Sequence, residues 1–493
     1  MCVPLPDDGG GRAPLLLLAS RLLLTRKFGE QGWIAVDKAL GQLSESLHWL
    51  PARLLYVDDE RCLSPYGLTA VYPREPEGIL SLVRAAERVL FDGQVSAVWL
   101  MGGDELLPCF RLDNPADDTD SVILSDAPYA SPGGDPFAPV RPVGRLPHLD
   151  GAVESFLALI ARNTASQVLP CLDACPVVSG YTASIWREAS QQVLTGITDT
   201  GAMRLSPPWD LSDYPFIRRQ VAPIRYYNLH GRPDGTTWHG QLDPAVPADF
   251  TDFPPALRQV DISAAEARGC IVATESCYGG ALSERSIASR FLRLGAASFL
   301  GSTAMSYGAL ASPISGADLL IRDFISLCAA SVPLGEALLR ARLAFARVMM
   351  ERQGFLDAED QKTLLSFRLL GNPTLRLSGV EPEAPVAVQA LQMPMEPVEV
   401  VCAHAVPTTD APAPPASLLE EIQELAALFL RSGRNDVPTR HATCITPPVR
   451  ATSGLNSANC SVVSFDRALA DGQVAVARFT LRDGHLAKTI VSH

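Results

Sequence analysis

From about residue 13 to residue 378 the chain alternates short apolar runs with longer segments of helical spacing, and this alternation limits its fold more than any other feature. Residues 54–57, 97–101, 224–229, 271–274 and 298–300 are short, mostly apolar runs and read as buried strands. Residues 15–24 read as a further buried strand. Residues 77–90, 151–163, 283–294, 317–330 and 334–351 repeat apolar side chains every three to four positions and predict helices. Strands of this kind alternating with helices specify an α/β fold with a mostly parallel sheet. Such a sheet presents its ligand site at the carboxyl ends of its strands. Residues 108–147 are rich in Asp, Pro and Gly, and are expected to be mostly loop.

Composition narrows the function. Hydrophobic residues make up 47% of the 493 positions, which excludes a mostly disordered chain and allows two to four domains. The net charge of −13 is poorly suited to tracking a phosphate backbone, so no nucleic-acid partner is expected. No run reaches the ~20 apolar residues of a membrane span. Residues 15–24 make a poor export signal, because Arg21 interrupts them and Asp7 and Asp8 precede them. Eleven cysteines without a regular framework then suggest reduced thiols and a cytoplasmic location. No phosphate loop, dinucleotide fingerprint or Gly-x-Ser-x-Gly elbow is present, and no cofactor is expected.

Near residue 379 the composition changes. Residues 381–416 hold eight prolines, and residues 381–430 hold eight acidic residues with no Lys or Arg. This reads as a Pro-rich acidic linker over 379–416. Ser417 and Glu420 form a capping-box pattern, and Leu418, Ile422, Leu425 and Phe429 share one helix face. Residues 474–481 and 486–491 flank Asp483-Gly484, a hairpin turn pair. Residues 417–493 are therefore expected to form a small α+β domain, a helix plus a hairpin.

Two segments carry candidate chemistry. Arg225-Tyr-Tyr-Asn-Leu-His230-Gly231 is an apolar strand ending in His-Gly, and Cys270-Ile-Val-Ala-Thr-Glu-Ser-Cys277-Tyr-Gly-Gly280 is one ending in a cysteine among small residues. If the strands are parallel neighbours, His230 and Cys277 project from one edge. An imidazole can take the thiol proton and later protonate a leaving amine. The N–H groups of Gly231 and Cys277 are the natural donors to a tetrahedral oxyanion.

Further motifs give these segments a context. They are Leu100-Met-Gly-Gly-Asp-Glu-Leu-Leu-Pro108, Ser125-Asp-Ala-Pro-Tyr129, Pro142-Val-Gly-Arg-Leu-Pro147, Gly180-Tyr-Thr-Ala, Asn228-Leu-His-Gly231, Glu275-Ser-Cys277, Phe299-Leu-Gly-Ser-Thr303 with Ser306-Tyr307, and Leu370-Gly-Asn-Pro-Thr-Leu-Arg-Leu377. In this order they resemble the caspase-like cysteine peptidases (clan CD), and within them the gingipain-type family C25, over residues 15–378. The resemblance implies an α/β/α sandwich with an N-terminal subdomain (13–165) and a catalytic subdomain (166–378). It also implies a His230/Cys277 endopeptidase acting on a protein or peptide substrate, with an activating partner or ligand to restrain it. Asn372 stands where the family has Asp, and Gly308 where it has an aromatic residue.

The resemblance also places the residue two before the nucleophile in the primary specificity pocket. Here that is Glu275, which favours Arg or Lys before the scissile bond, because a buried carboxylate calls for a charged partner. Asn228, Ser306 and Tyr307 are expected on the walls, and Asp126 is a candidate second acid. The Glu-Ser-Cys stretch is also similar to legumain-type peptidases, which keeps Asn specificity open. A silent scaffold of the same fold, acting by binding, is the alternative outside catalysis.

Other features carry less. Cys402, His404, His441 and Cys444 could ligate zinc, but their spacing is not that of a zinc ribbon, and no metal is expected. Cys171 and Cys175 read as core packing. His239 is a rival base, and Trp238 either walls the cleft or packs. Arg431, Arg434 and Arg440 follow the basic-free stretch and mark a processing site or a hinge.

Overall fold

The apolar runs assemble into one ten-stranded sheet. In spatial order its strands are Ala52–Tyr56, Leu15–Ala19, Ala97–Met101, Val143–Leu146, Phe367–Gly371, Ser298–Ser302, Ile271–Thr274, Ile224–Asn228, Val178–Ala183 and Met203–Ser206. The computed structural model describes residues 14–47, 50–91, 93, 95–165, 168–169, 176–199, 201, 203–219, 222–243, 251–377, 395–407, 415–430, 439–445, 460–468, 474–482 and 484–492. Every neighbouring pair in the sheet is parallel except Ser298–Ser302 with Phe367–Gly371. Two parallel blocks therefore meet along one antiparallel seam.

Alternate residues of the central strands feed cores on opposite faces. Tyr227, Val272 and Phe299 join the core that contains helices Arg21–Ser46 and Ile287–Leu294. Tyr226, Ile271, Ala273 and Leu300 join the core of helices Gly316–Ala329 and Leu334–Gln353. This two-sided burial explains why the strands read as mostly apolar runs. Each fully buried leucine of Leu15–Ala19 contributes about 1.5–3 kcal/mol.

One expectation changes. Residues 15–24 are not one strand: it stops at Ala19, where the Ser20 hydroxyl accepts from Leu23 N–H and caps helix Arg21–Ser46. Short apolar runs do not distinguish strand from buried helix, and the cap decides. Residues 108–147 are mostly loop, as expected, and also supply three short strands. Phe110–Asp113 pairs antiparallel with Val122–Ser125, and Val143–Leu146 lies inside the sheet. A Cβ on Gly144 would meet Gly371 O at 2.9 Å, so this strand needs glycine where the backbone of the last motif presses against it.

The C-terminal region forms a six-stranded antiparallel sheet. Its order is Tyr307–Gly308, His485–Ser492, Val474–Arg482, Cys460–Ala468, Thr439–Ile445 and His404–Pro407, so its first strand belongs to the sequence just past Cys277. Arg482 pairs with His485 and Gly484 has φ of +79°, the hairpin that Asp483-Gly484 predicts. Helix Ala416–Leu430 packs on the strands Cys460–Ala468 and Val474–Arg482. Of the linker, residues 379–394 and 408–414 lie outside the described residues, as do Cys171, Cys175, Arg431 and Arg434 and the side chains of His404, Arg440, His441 and Cys444. No helix among the described residues is long and apolar enough to cross a membrane.

Candidate active site

Strand register brings the two candidate reactive residues together. Ile224–Asn228 and Ile271–Thr274 are adjacent and parallel, with Tyr227 opposite Thr274. His230 and Cys277 each lie three residues beyond that matched pair, at the same edge, and both line one narrow cleft. A Cβ on Gly231 would fall 1.8 Å from Cys277 O and 3.0 Å from Cys277 N. Only glycine allows this approach, and it sets the two backbones side by side.

The turn after Cys277 is held tightly. Tyr278 has φ of +55°, a conformation rare outside glycine, and its N–H donates to Ala304 O at 2.9 Å. A Cβ on Gly280 would meet Gly301 O at 2.3 Å. The Ser306 N–H donates to Cys277 Sγ at 3.2 Å, and the thiol lies 3.6 Å from Ser306 O.

His230 is enclosed by aromatic rings. Trp186 lies 4.5 Å and Phe253 5.4 Å from its ring centroid. Burial pushes the imidazole down to about 4, with Gln241 working against that shift and His239 adding to it. The Gln241 side chain is oriented by its other end: its Nε2 donates to Phe429 O at 2.9 Å, so its Oε1 faces His230 Nε2 at 2.7 Å. Nε2 then carries the imidazole proton, and Nδ1 keeps the lone pair that a base needs.

The acid cluster behind Cys277 has an internal cation. Lys362 Nζ donates to Asp118 at 2.7 and 2.9 Å and to Asp120 at 2.6 Å, with the lysine fully buried. Tyr307 OH donates to Asp118 at 2.6 Å, Tyr278 OH to Asp120 at 2.8 Å, and Met305 N–H to Asp120 at 2.8 Å. Residues on both sides of the thiol are thus tied to one ammonium. Burial raises the Asp118 carboxyl, but Lys362 overrides it and the net shift is downward.

The specificity candidates divide. Glu275 is fully buried on the far side of its strand end, where Tyr226 OH donates to its Oε1 at 2.7 Å. It is hydrogen-bonded to Asp318, which also accepts the Ala309 N–H at 2.6 Å. Burial first, and Asp318 second, push Glu275 far above the carboxylate range; burial lifts Asp318 to about 7. A hydrogen bond between two carboxyl groups needs one proton between them, so near neutral pH the pair carries no more than one negative charge. Neither acid has an ion pair among the described residues. Asn228 Nδ2 donates to Ser190 Oγ at 3.2 Å, and Ser190 lies 3.1 Å from Tyr226 OH, so Asn228 and Glu275 belong to one network.

The structure places four further candidates. Asp126 is not on the cleft: it is buried in a bidentate pair with Arg145, at 2.9 and 2.5 Å, and that arginine also holds Gly102 O and Leu107 O. Tyr307 turns its ring inward to Asp118, between Lys362 and Arg478, each 5.8 Å from its centroid, and only its backbone faces the edge. Trp238 packs on Tyr227 and Phe299 in the core. His239 pairs with His230 through backbone hydrogen bonds of 2.8 and 2.9 Å and does not line the cleft. Among the described residues no cluster could hold a metal ion. Gln241, Phe253, Lys362 and Asp318 escaped the sequence reading; each sits in an ordinary local pattern, and none had a signal.

Residues 222–378, which include both His230 and Cys277, match the model of peptidase family C25. Residues 222–378 are thus similar to a cysteine-type peptidase of family C25, and the central sheet is the caspase-like α/β fold. No curated protein matches the sequence. Among solved structures, the Arg-specific cysteine proteinase gingipain R is similar at 12% identity over 99% of each chain, with a TM-score of 0.50. A complex of the pro- and mature domains of RgpB from Porphyromonas gingivalis is 11% identical over 97% of this chain and 99% of that one, at 0.48. The separase–securin complex of Saccharomyces cerevisiae is 8% identical over 61% of this chain and 17% of that one, at 0.34. At these identities the likeness to solved structures is one of fold. The family match covers four of the ten strands of the sheet, among them the two that lead to the candidate pair.

Proposed function

We propose that the chain is an endopeptidase in which Cys277 is the nucleophile and His230 the base. His230 Nδ1 takes the thiol proton as sulfur attacks the scissile carbonyl carbon. The N–H groups of Gly231 and Cys277 hold the oxyanion. Collapse of the intermediate breaks the C–N bond, and His230 gives its proton to the departing amine. Water then attacks the thioester, His230 again takes and returns a proton, and the carboxylic acid leaves. The observation that carries this reading is the register of Tyr227 with Thr274, with the two reactive residues equally far beyond it.

We assign the residue before the scissile bond as Arg or Lys. The support is a buried acid pair, Glu275 and Asp318, with at most one negative charge and no ion pair among the described residues. An incoming guanidinium would compensate that charge and draw the shared proton off. Gingipain R, which shares the fold, is an Arg-specific cysteine proteinase, and that supports the reading. The test is a set of fluorogenic peptides with Arg, Lys, Asn, Asp or Leu before the bond. Cleavage after Arg or Lys, absent in Cys277→Ala, is the expected result. Cleavage after Asn alone would keep the nucleophile and discard the acid-pair reading. Cleavage that persists in Cys277→Ala would discard the nucleophile.

A further inference from the structure

The edge beside Cys277 is occupied. Tyr307–Gly308 directly follows Ser306, whose N–H donates to the thiol, and it is the strand an extended peptide would join to reach that thiol. The C-terminal strand His485–Ser492 already pairs with it, Val491 opposite Gly308 and Ser492 opposite Tyr307. The pairing is antiparallel, so the C-terminal strand runs toward Cys277. On the other wall, Phe429 and Leu430 at the end of helix Ala416–Leu430 line the cleft with His230, and Phe429 O holds Gln241.

The contact is specific in charge. Asp357, Glu359 and Asp360 stand at the start of helix Ala358–Ser366. Lys488 Nζ reaches Asp357 at 2.5 Å and Asp360 at 2.9 Å, and Arg478 pairs with Glu359 and donates to Asp117 O. All four ionic side chains at these two pairings, and Asp360, are buried. The two basic residues come from adjacent strands of the C-terminal sheet and meet acids of the peptidase region. A domain that was merely tethered would have no need of buried ion pairs here, because each unpaired charge is costly once buried.

We propose that the C-terminal region is an intramolecular blocker of the catalytic cleft. In this state its last strand holds the edge that a substrate peptide must use, and substrate gains access only when the region is displaced. The inference rests on the peptidase reading above, but it makes a claim about access that can be measured without cleavage.

The experiment compares the intact chain with Lys488→Glu, which sets a third carboxylate against Asp357 and Asp360, and with Phe429→Ala, which trims the helix end without adding charge. Three readouts are taken: hydrogen exchange of residues 485–492, the rate of Cys277 alkylation by a bulky maleimide, and cleavage of the arginyl peptide. Faster exchange at 485–492, with 271–274 still protected, and alkylation and cleavage each faster by tenfold or more are expected. Exchange that accelerates while alkylation stays unchanged would overturn the proposal. If Lys488→Glu does not fold, Phe429→Ala decides by the same criterion. Faster alkylation with no cleavage by any chain would leave the blocker standing and overturn the peptidase reading instead.

Discussion

Two buried acid clusters touch the residues around Cys277, and they are neutralised in opposite ways. Asp118 and Asp120 share the ammonium of Lys362, supplied by the same chain. Glu275 and Asp318 have only hydroxyl and amide donors and each other. The consequence appears in the protons: Asp118 is shifted down, while Glu275 and Asp318 are shifted up. A cluster with its own cation is a rigid brace. One without a cation holds a proton instead, and can exchange it for a cation that arrives with a ligand.

The largest effect should come from removing the internal cation. Lys362→Met leaves two carboxylates buried without compensation, and unfolding in urea should show a loss of about 3–5 kcal/mol. A loss below about 1 kcal/mol would show that the ammonium is not the brace. Asp318→Asn is the converse change. It removes a charge that has no cation, so stability should hold or rise, while kcat/KM for the arginyl peptide falls by about tenfold to a hundredfold. An unchanged arginine preference would take the acid pair out of recognition.

The pH dependence of stability separates the clusters by sign. The folded value of Asp318, about 7, exceeds its ordinary 3.8, so the native state binds more protons than the unfolded state in that interval. Its stabilisation is complete below about pH 4 and is lost as pH rises toward 7. Asp118 is depressed, so its contribution is complete above its ordinary value and is lost as pH falls. Urea unfolding of Asp318→Asn against the unaltered chain should therefore favour the variant more at pH 8 than at pH 5. A difference independent of pH would mean that no proton is shared.

The smallest effect concerns His230, which burial holds at about 4. A depressed histidine contributes stability that is lost as pH falls from about 6.5 through 4. In Phe429→Ala the ring is less enclosed. The acid limb of Cys277 alkylation should then move up from about 4 toward the ordinary value of 6.5. A limb that stays in place would assign the depression to Trp186, Phe253 and the nearby His239 instead.

The comparison also shows what could be read early. The strands that end in His230 and Cys277 were legible because burial on both faces leaves a mostly apolar run, and a small-residue turn must follow a strand that delivers a reactive group. Glu275 was legible as an acid two residues before the thiol, but its partner Asp318 was not: it sits on helix Gly316–Ala329 in a pattern any amphipathic helix could carry. Asp126 looked like a free acid because nothing in the sequence announced Arg145 beside it. The hairpin at Gly484 was plain from its turn residues, whereas its docking on Tyr307–Gly308 joins positions nearly two hundred residues apart.

The sequence by itself determined the alternation of strand and helix, the two strand ends that carry histidine and cysteine, and the glycines their turns require. These follow from periodicity and backbone sterics, which act over a few residues. Only the tertiary structure decided which acids meet a cation, which way Gln241 turns its amide, and that the C-terminal strand lies along the edge beside the thiol. Those outcomes depend on charge compensation and edge pairing between distant segments, and local pattern carries no record of either.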